Sequence, residues 1–233
     1  MQLAPPPVPG PPPRDVAAAL EAARTRLGHR PAVTVLRPGR REEQGVASLA
    51  QWAAKGAHLL EADLLLGPGD TLLLDAPLSW PTAAVCLAAW WAGVVVTLDV
   101  PADVAVVHED REGPGPGEVL WLGDAIDGAP TRDVPGEPWV RAVQAFPDQP
   151  PPAAADPDGP ALRAAGRSWT QAQLLADAAD LGEGTLGCDA DTIDAVTGVV
   201  AVALRPLVIG RPTVVLRGVG RDAATGERVT TWR

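Results

Sequence analysis

The residues best placed to do chemistry sit at a turn. In "GPALRAAGRSWTQAQLLADAADLG", residues 159–182, a short apolar run meets Ala165-Gly166-Arg167 and then an amphipathic stretch. This reads as strand, tight turn and helix, and a glycine turn between a strand and a helix is where α/β proteins often hold phosphates. Gly166 and Arg167 are thus the weak candidates for cofactor binding, Arg167 through a guanidinium suited to bidentate pairing with carboxylate or phosphate. Against them stands a plain connection with Arg167 in solvent. One glycine does not supply the consecutive N–H concavity that a triphosphate needs, so connection is the favoured reading. Ser168 has no G-x-S-x-G elbow around it and reads as the cap of a helix beginning at Trp169.

Elsewhere the reactive side chains are scattered. His29, His58 and His108 have no histidine at i+4 and no nearby cysteine, so no metal site is assigned. His108-Glu109-Asp110 is a polar run at a strand end, either acid–base equipment or a solvated loop, with the loop preferred. Asp189, Asp191 and Asp194 lack the glycine and distal glutamate of a calcium loop. They read as helix-capping residues, Asp191 as the cap and Asp194 in the first turn. Cys86 and Cys188 make no disulfide framework and read as buried free thiols. Lys55 is the only lysine. No residue is assigned a catalytic role.

The adjacent tryptophans Trp90 and Trp91 raise a different possibility. Two neighbouring side chains cannot share one helix face. At least one must therefore touch a loop, another lobe or a partner. An exposed tryptophan there would mark an interaction surface, for a protein partner or a second copy.

These residues must be positioned by a chain of 233 residues that is 46% hydrophobic, enough for one large core or two small ones. With 29 Asp+Glu against 19 Lys+Arg, the formal charge is −10. That acidic balance without a basic block argues against nucleic acid and anionic membrane surfaces as partners. The start, "MQLAPPPVPGPPPRDV", has no signal-peptide pattern and reads as a disordered proline-rich segment over residues 1–14. A cytoplasmic location is the resulting expectation. The apolar stretch at residues 76–100 is punctuated by Pro81 and Gly93. A helix over 81–92 would be only about 18 Å long against a hydrocarbon core of ~30 Å, which excludes a span.

Along the chain, apolar strand-like runs ("PAVTVLR", "TLLLDA", "VVVTLDV", "VAVVHED", "GEVLWLGD", "RPTVVLRG") alternate with helical patterns. The helices include a capped one at residues 15–28 and others following Gly45, Pro81 and Ser168. Alternation of this kind predicts an α/β fold with largely parallel sheets flanked by helices. "PAVTVLRPGRREEQGVASLAQW" and "GPALRAAGRSWTQAQLL" echo one another as strand, turn and helix. Two similar lobes are therefore expected, at 15–123 and 156–220. A Pro/Gly/Asp-rich connection would run over 124–155, with Trp139 and Phe146 as anchors, and a polar tail over 221–233.

The order of these pieces resembles the N-terminal domain of the adenylate-forming (AMP-binding) superfamily, which includes acyl-CoA synthetases. The carrying residues are a helix before "GPGD", the strand "TLLLDA", the helix ending "WWAG" and the strand "VVVTLDVP". Later, "GVVAVALRPLVIGRPTVVLRG" is similar to that family's PLxxG helix–strand segment. The likeness runs from Val33 to Gly218, with poor agreement at 113–157. It implies ATP, Mg²⁺ and CoA as cofactors, yet the motifs for them are missing. A phosphate loop of the type S/T-G-x-T/S-G-x-P-K is absent, and "LRAAGRSWTQ" stands in its place. Lys55 matches neither catalytic lysine of the family. The resemblance thus implies a two-lobed fold without ATP catalysis, acting as a binding or regulatory module. Two alternatives remain: a minimal acyl-activating enzyme that needs a partner subunit, and a structural subunit docking through its tryptophan helix. Ligands of parallel α/β sheets bind at the carboxyl ends of strands, so the loops after Leu74, Leu98 and Leu162 are the places to look.

Overall fold

The computed structural model describes residues 12–114, 117–154 and 156–233. Most of the proline-rich start, residues 1–11, lies outside them.

The first helix, α1 (Val16–Leu27), shows how local sequence sets the elements. Asp15 caps it by accepting the Ala18 N–H at 2.7 Å. Gly28 ends it at φ 56°, and Arg24 and Arg26 face the negative end of its dipole. Val16, Ala19, Leu20, Ala23 and Leu27 repeat at helical spacing and are buried together.

Next, β1 (Pro31–Arg37) turns through Pro38-Gly39 into the antiparallel β2 (Arg40–Gly45), which feeds α2 (Val46–His58) and a π-helical turn at Leu59–Asp63. After these come β3 (Thr71–Asp75), α3 (Trp80–Trp91), β4 (Val95–Thr97), β5 (Val104–His108) and β6 (Glu118–Leu122). A short β7 (Glu137–Pro138) and a one-turn α4 (Trp139–Ala142) precede the hairpin β8 (Pro160–Ala164) and β9 (Arg167–Thr170). The chain closes with α5 (Gln171–Asp180), β10 (Leu186–Asp189), α6 (Ala195–Ala203), α7 (Arg205–Ile209), β11 (Thr213–Leu216) and β12 (Thr231–Trp232).

Two sheets result, in the orders β12-β10-β11-β1-β2 and β7-β6-β5-β3-β4-β8-β9. All pairings are parallel except the two hairpins, β1–β2 and β8–β9, which form one edge of each sheet. This is the expected α/β class with two largely parallel sheets.

The expected division into lobes at 15–123 and 156–220 is not how the strands are shared. The first sheet joins β1 and β2 to β10 and β11, and the second joins β3–β7 to β8 and β9. Each sheet therefore takes strands from both segments. Nor is 221–233 a tail outside the fold, since β12 pairs with β10. The physical reason is α3, apolar on every side and buried at every residue. Such a helix needs cover all round, and it packs against β1 of one sheet and β4 of the other.

The pleat sorts side chains between this shared core and the outer faces. Leu72, Leu74, Val104, Val106, Leu120 and Leu122 point inward. Leu73, Ala105, Val107 and Trp121 point outward to a separate cluster. Trp90 is fully buried and donates its indole N–H to Ala161 O at 2.7 Å; Trp91 is 6% exposed and donates to Pro151 O at 2.9 Å. The expectation of an exposed tryptophan helix is thus corrected. Strand β8 covers one ring and the 147–154 segment the other, so the pair needs no partner to be dry.

Candidate functional site

The carboxyl ends of the parallel strands bring together residues that the sequence keeps far apart. Several strands end on or just before an ionisable residue, among them Arg37 at the end of β1, Asp75 of β3 and His108 of β5, with Asp124 beyond β6 and Arg217 beyond β11. Because the strands are parallel, these ends share one edge of each sheet, and the two edges face one another.

Asp124 is the hub. One of its carboxylate oxygens, Oδ1, takes Arg37 Nη1 in an ion pair, Arg217 Nη1 at 3.2 Å and His108 Nε2 at 3.1 Å. The Asp124 carbonyl accepts from Arg40 Nη1 at 2.6 Å. Arg40 also pairs with buried Glu42 at 3.0 Å. The Asp110 N–H donates to His108 Nδ1 at 3.3 Å, which places the proton of the neutral ring on Nε2, facing Asp124. Burial pushes the Asp124 carboxyl up, but the charges of Arg217 and Arg37 and the hydrogen bond from His108 outweigh it and hold the group below its usual range. Burial, with Arg37 beside it, lowers the Arg217 guanidinium. Asp124 thereby ties the sheet of β5 and β6 to the sheet of β1 and β11.

Glu109 holds this hub in place. Its buried carboxylate accepts the backbone N–H of Asp124 at 2.7 Å, of Thr131 at 2.7 Å and of Arg132 at 3.2 Å, and the Thr131 hydroxyl at 3.0 Å. Burial raises this carboxyl, and the donated hydrogen bonds together lower it below its usual range. The His108-Glu109-Asp110 run is therefore not the solvated loop that its polarity suggests. His108 and Glu109 are buried and organise the 123–132 loop, while Asp110 is exposed.

Beside the hub lies a cavity of about 420 Å³, within the usual range for small-molecule sites. Its apolar wall is made by Leu74, Leu78, Leu98 and Ile193, and its charged wall by Asp75, Arg111, Asp191 and Arg217. Arg111 Nε lies 3.4 Å from Asp75 Oδ1. The loop after Leu74 lines this cavity as expected, whereas after Leu98, which itself lines it, Asp99 and Val100 line a neighbouring cavity with Leu73 and Asp75. The loop after Leu162 lines neither, because β8 stands beyond β4, next to the edge strand β9.

Gly166 and Arg167 stand apart from this cleft. Ala165 (φ 49°) and Gly166 (φ 72°) are the two central residues of a hairpin turn, and the next element is strand β9, not a helix. Arg167 lies over the Trp169 ring at 4.8 Å. Helix α5 begins only after Thr170, which replaces Ser168 as its cap. Thr170 Oγ1 accepts the Gln173 N–H at 3.2 Å and Gln173 Oε1 accepts the Thr170 N–H at 2.9 Å. The residues here do not fit the triphosphate that the resemblance implies. The turn does not open onto a helix N-terminus, and the helix satisfies its own first turn.

Of the three aspartates at 189–194, one caps a helix. Asp194, not Asp191, caps α6 by accepting the Thr197 N–H at 2.9 Å, while Asp189 accepts the Asp191 N–H at 3.1 Å. Asp191 is left lining the cavity. His108, Asp110 and Asp124 present ligand atoms within 4.8 Å of one another. A divalent ion there would share Asp124 with two guanidinium groups, so the arrangement does not suit a cation. Lys55 pairs with Asp148 at 2.9 Å and donates to Phe146 O at 2.6 Å, which pins the connection to α2. Cys86 and Cys188 are buried free thiols.

This architecture is that of acyl-CoA synthetases. An acyl-CoA synthetase of Brucella canis superposes on 92% of the chain with a TM-score of 0.72 at 18% identity. A fatty acyl CoA synthetase of Mycobacterium tuberculosis superposes on 94% with a TM-score of 0.70 at 13% identity. At these identities the likeness establishes the fold alone. The chain spans 46% and 49% of those two structures. In sequence it is similar to a TIGR03089 family protein of Mycobacterium tuberculosis (strain ATCC 25618 / H37Rv), 43% identical over 74 residues, 31% of this chain and 30% of that protein. No protein-family model matches the chain.

Sequence reasoning missed Asp124, Arg217, Arg37, Asp75 and Arg111 as a group. The available signal was the ionisable residue closing each apolar strand run, which gains meaning only once the strands are known to be parallel.

Proposed function

We propose that this chain is a catalytically degenerate member of the adenylate-forming superfamily that works as a cytoplasmic binding module. It would hold a small amphipathic carboxylic acid in the cleft between its sheets. The cavity carries the reading: an apolar wall of Leu74, Leu78, Leu98 and Ile193 suits a hydrocarbon body, and Arg111 and Arg217 suit a carboxylate head. Acyl chains enter as the ligand class because the proteins that share this fold are acyl-CoA synthetases. The hairpin turn at Ala165-Gly166 supports binding without ATP-driven activation, since it forms no phosphate cradle.

A second reading is a minimal acyl-activating enzyme completed by a partner subunit. It draws on the chain's matching only about half the length of two synthetases. Calorimetric titration with octanoate and, separately, with millimolar Mg·ATP tests both. Octanoate should bind, and Arg217→Ala should weaken it by roughly tenfold, about 1.4 kcal/mol. Heat from Mg·ATP would favour the enzyme reading, and no response to either ligand would remove the binding module.

A further inference from the structure

Helix α6 presents Ala195 and Val199, one turn apart, to the cavity of the cleft. Beside them Gly198 is buried inside the helix. Glycine is a poor helix former, second only to proline, and Gly198 is not among the residues whose positive φ would call for it. Its neighbours supply the reason. A Cβ at this position would stand 2.7 and 3.1 Å from Cδ1 and Cδ2 of Leu78 and 3.4 Å from Cγ2 of Ile193. Both of these side chains line the cavity.

We propose that Gly198 sets the depth of the cleft by letting Leu78 lie back against α6, and so selects straight-chain acids of medium length. The proposal rests on the binding reading above and adds that the hydrocarbon body ends against Leu78. The residues flanking Leu78 are fixed: Ser79 caps α3, and Thr82 Oγ1 donates to Pro77 O at 2.7 Å. An added Cβ at Gly198 therefore acts on the flexible leucine side chain and not on its backbone. Returning from 2.7 Å to an ordinary carbon contact of ~3.5–4.0 Å moves the leucine methyl by about 1 Å. Leu78 is otherwise packed into the buried core, where little space is left. The methyl is thus driven toward the cavity, which shortens the room for a chain by roughly one methylene. Gly198 is a positioning residue, acting on the ligand only through Leu78.

The test is calorimetric titration of the full chain with butanoate, hexanoate, octanoate and decanoate. Each methylene that becomes buried should tighten binding about fourfold. In the wild type the gain should stop at the length that reaches Leu78. Gly198→Ala should leave shorter acids unchanged and weaken those at and beyond the stop by roughly fourfold. Leu78→Ala, or the milder Leu78→Val, should move the stop to longer acids. Gly198→Ala added to Leu78→Ala should then have no effect, because the side chain it displaces is gone. An unchanged profile in Gly198→Ala, an equal loss at every length, or the same loss with Leu78→Ala present would overturn the proposal. So would wild-type affinity that climbs through decanoate without a stop, while leaving the binding reading in place. No binding of any acid by the wild type would remove that reading and this inference together.

Discussion

Replacing Glu109 tests how the cleft is held together. Its carboxylate takes four donated hydrogen bonds, three of them from the backbone of the 123–132 loop. Glu109→Gln keeps the shape, removes the charge and turns one NH₂ group toward N–H donors. A hydrogen bond to a charged acceptor contributes about 1.5–3 kcal/mol, and the loop can recover part of that by turning to water. The expected loss is therefore about 3 kcal/mol, well short of four full bonds. For a domain of this size each kcal/mol shifts Tm by ~2–4 °C, so Tm should fall by roughly 6–12 °C near pH 7. The pH dependence has a definite sign. The folded carboxyl sits below its ordinary value. Its contribution is therefore complete above the unfolded value of about 4.3 and is lost as pH falls through the folded one. The gap between wild type and variant should narrow toward about pH 3. Thermal unfolding at both pH values measures this, and hydrogen exchange at Thr131 and Arg132 should accelerate in the variant. An unchanged Tm near neutral pH, or a gap of the same size in acid, would refute the reasoning.

The packing sets two further outcomes. A Cβ at Gly56 would lie 2.7 Å from Ala88 Cβ and 3.2 Å from the Trp139 ring. Gly56→Ala should thus cost about 1–2 kcal/mol in urea unfolding, the clash between α2 and α3 exceeding the gain in helix propensity; a stabilised variant would contradict that close approach. Burial pushes the Cys188 thiol up to about 12, and Cys86 is raised by the same cause. Neither should react with Ellman's reagent at about pH 8 until denaturant is added, and a fast native-state reaction would show that one of them opens to solvent.

Much of the architecture was legible because apolar runs and glycine stops carry their own instructions. Asp15 and Gly28 bracket α1, and Trp80–Trp91 forms a helix too short to span a membrane; no helix among the described residues is long and apolar enough to do so. Among the missed strands, β2 with "RREEQG" and β9 with "RSWT" are polar edge strands, while β10 with "LGCD" is a short internal one. The two hairpin strands, β2 and β9, lack the apolar alternation that announces a strand, and their hairpins explain why two segments of the chain echo one another.

By itself, then, the sequence determined which long apolar runs become buried strands, that most of them are parallel, and which ionisable residues follow several of them. Only the tertiary structure decided that Asp124 would reach Arg37 and Arg217, residues far away along the chain. The choice of neighbouring strands rests on how an all-apolar helix, α3, is covered from both sides. That is a property of the whole core and of no local stretch. Once β1 pairs with β11 and β5 with β6, the common direction of parallel strands carries their charged ends to one edge, and the cleft forms there.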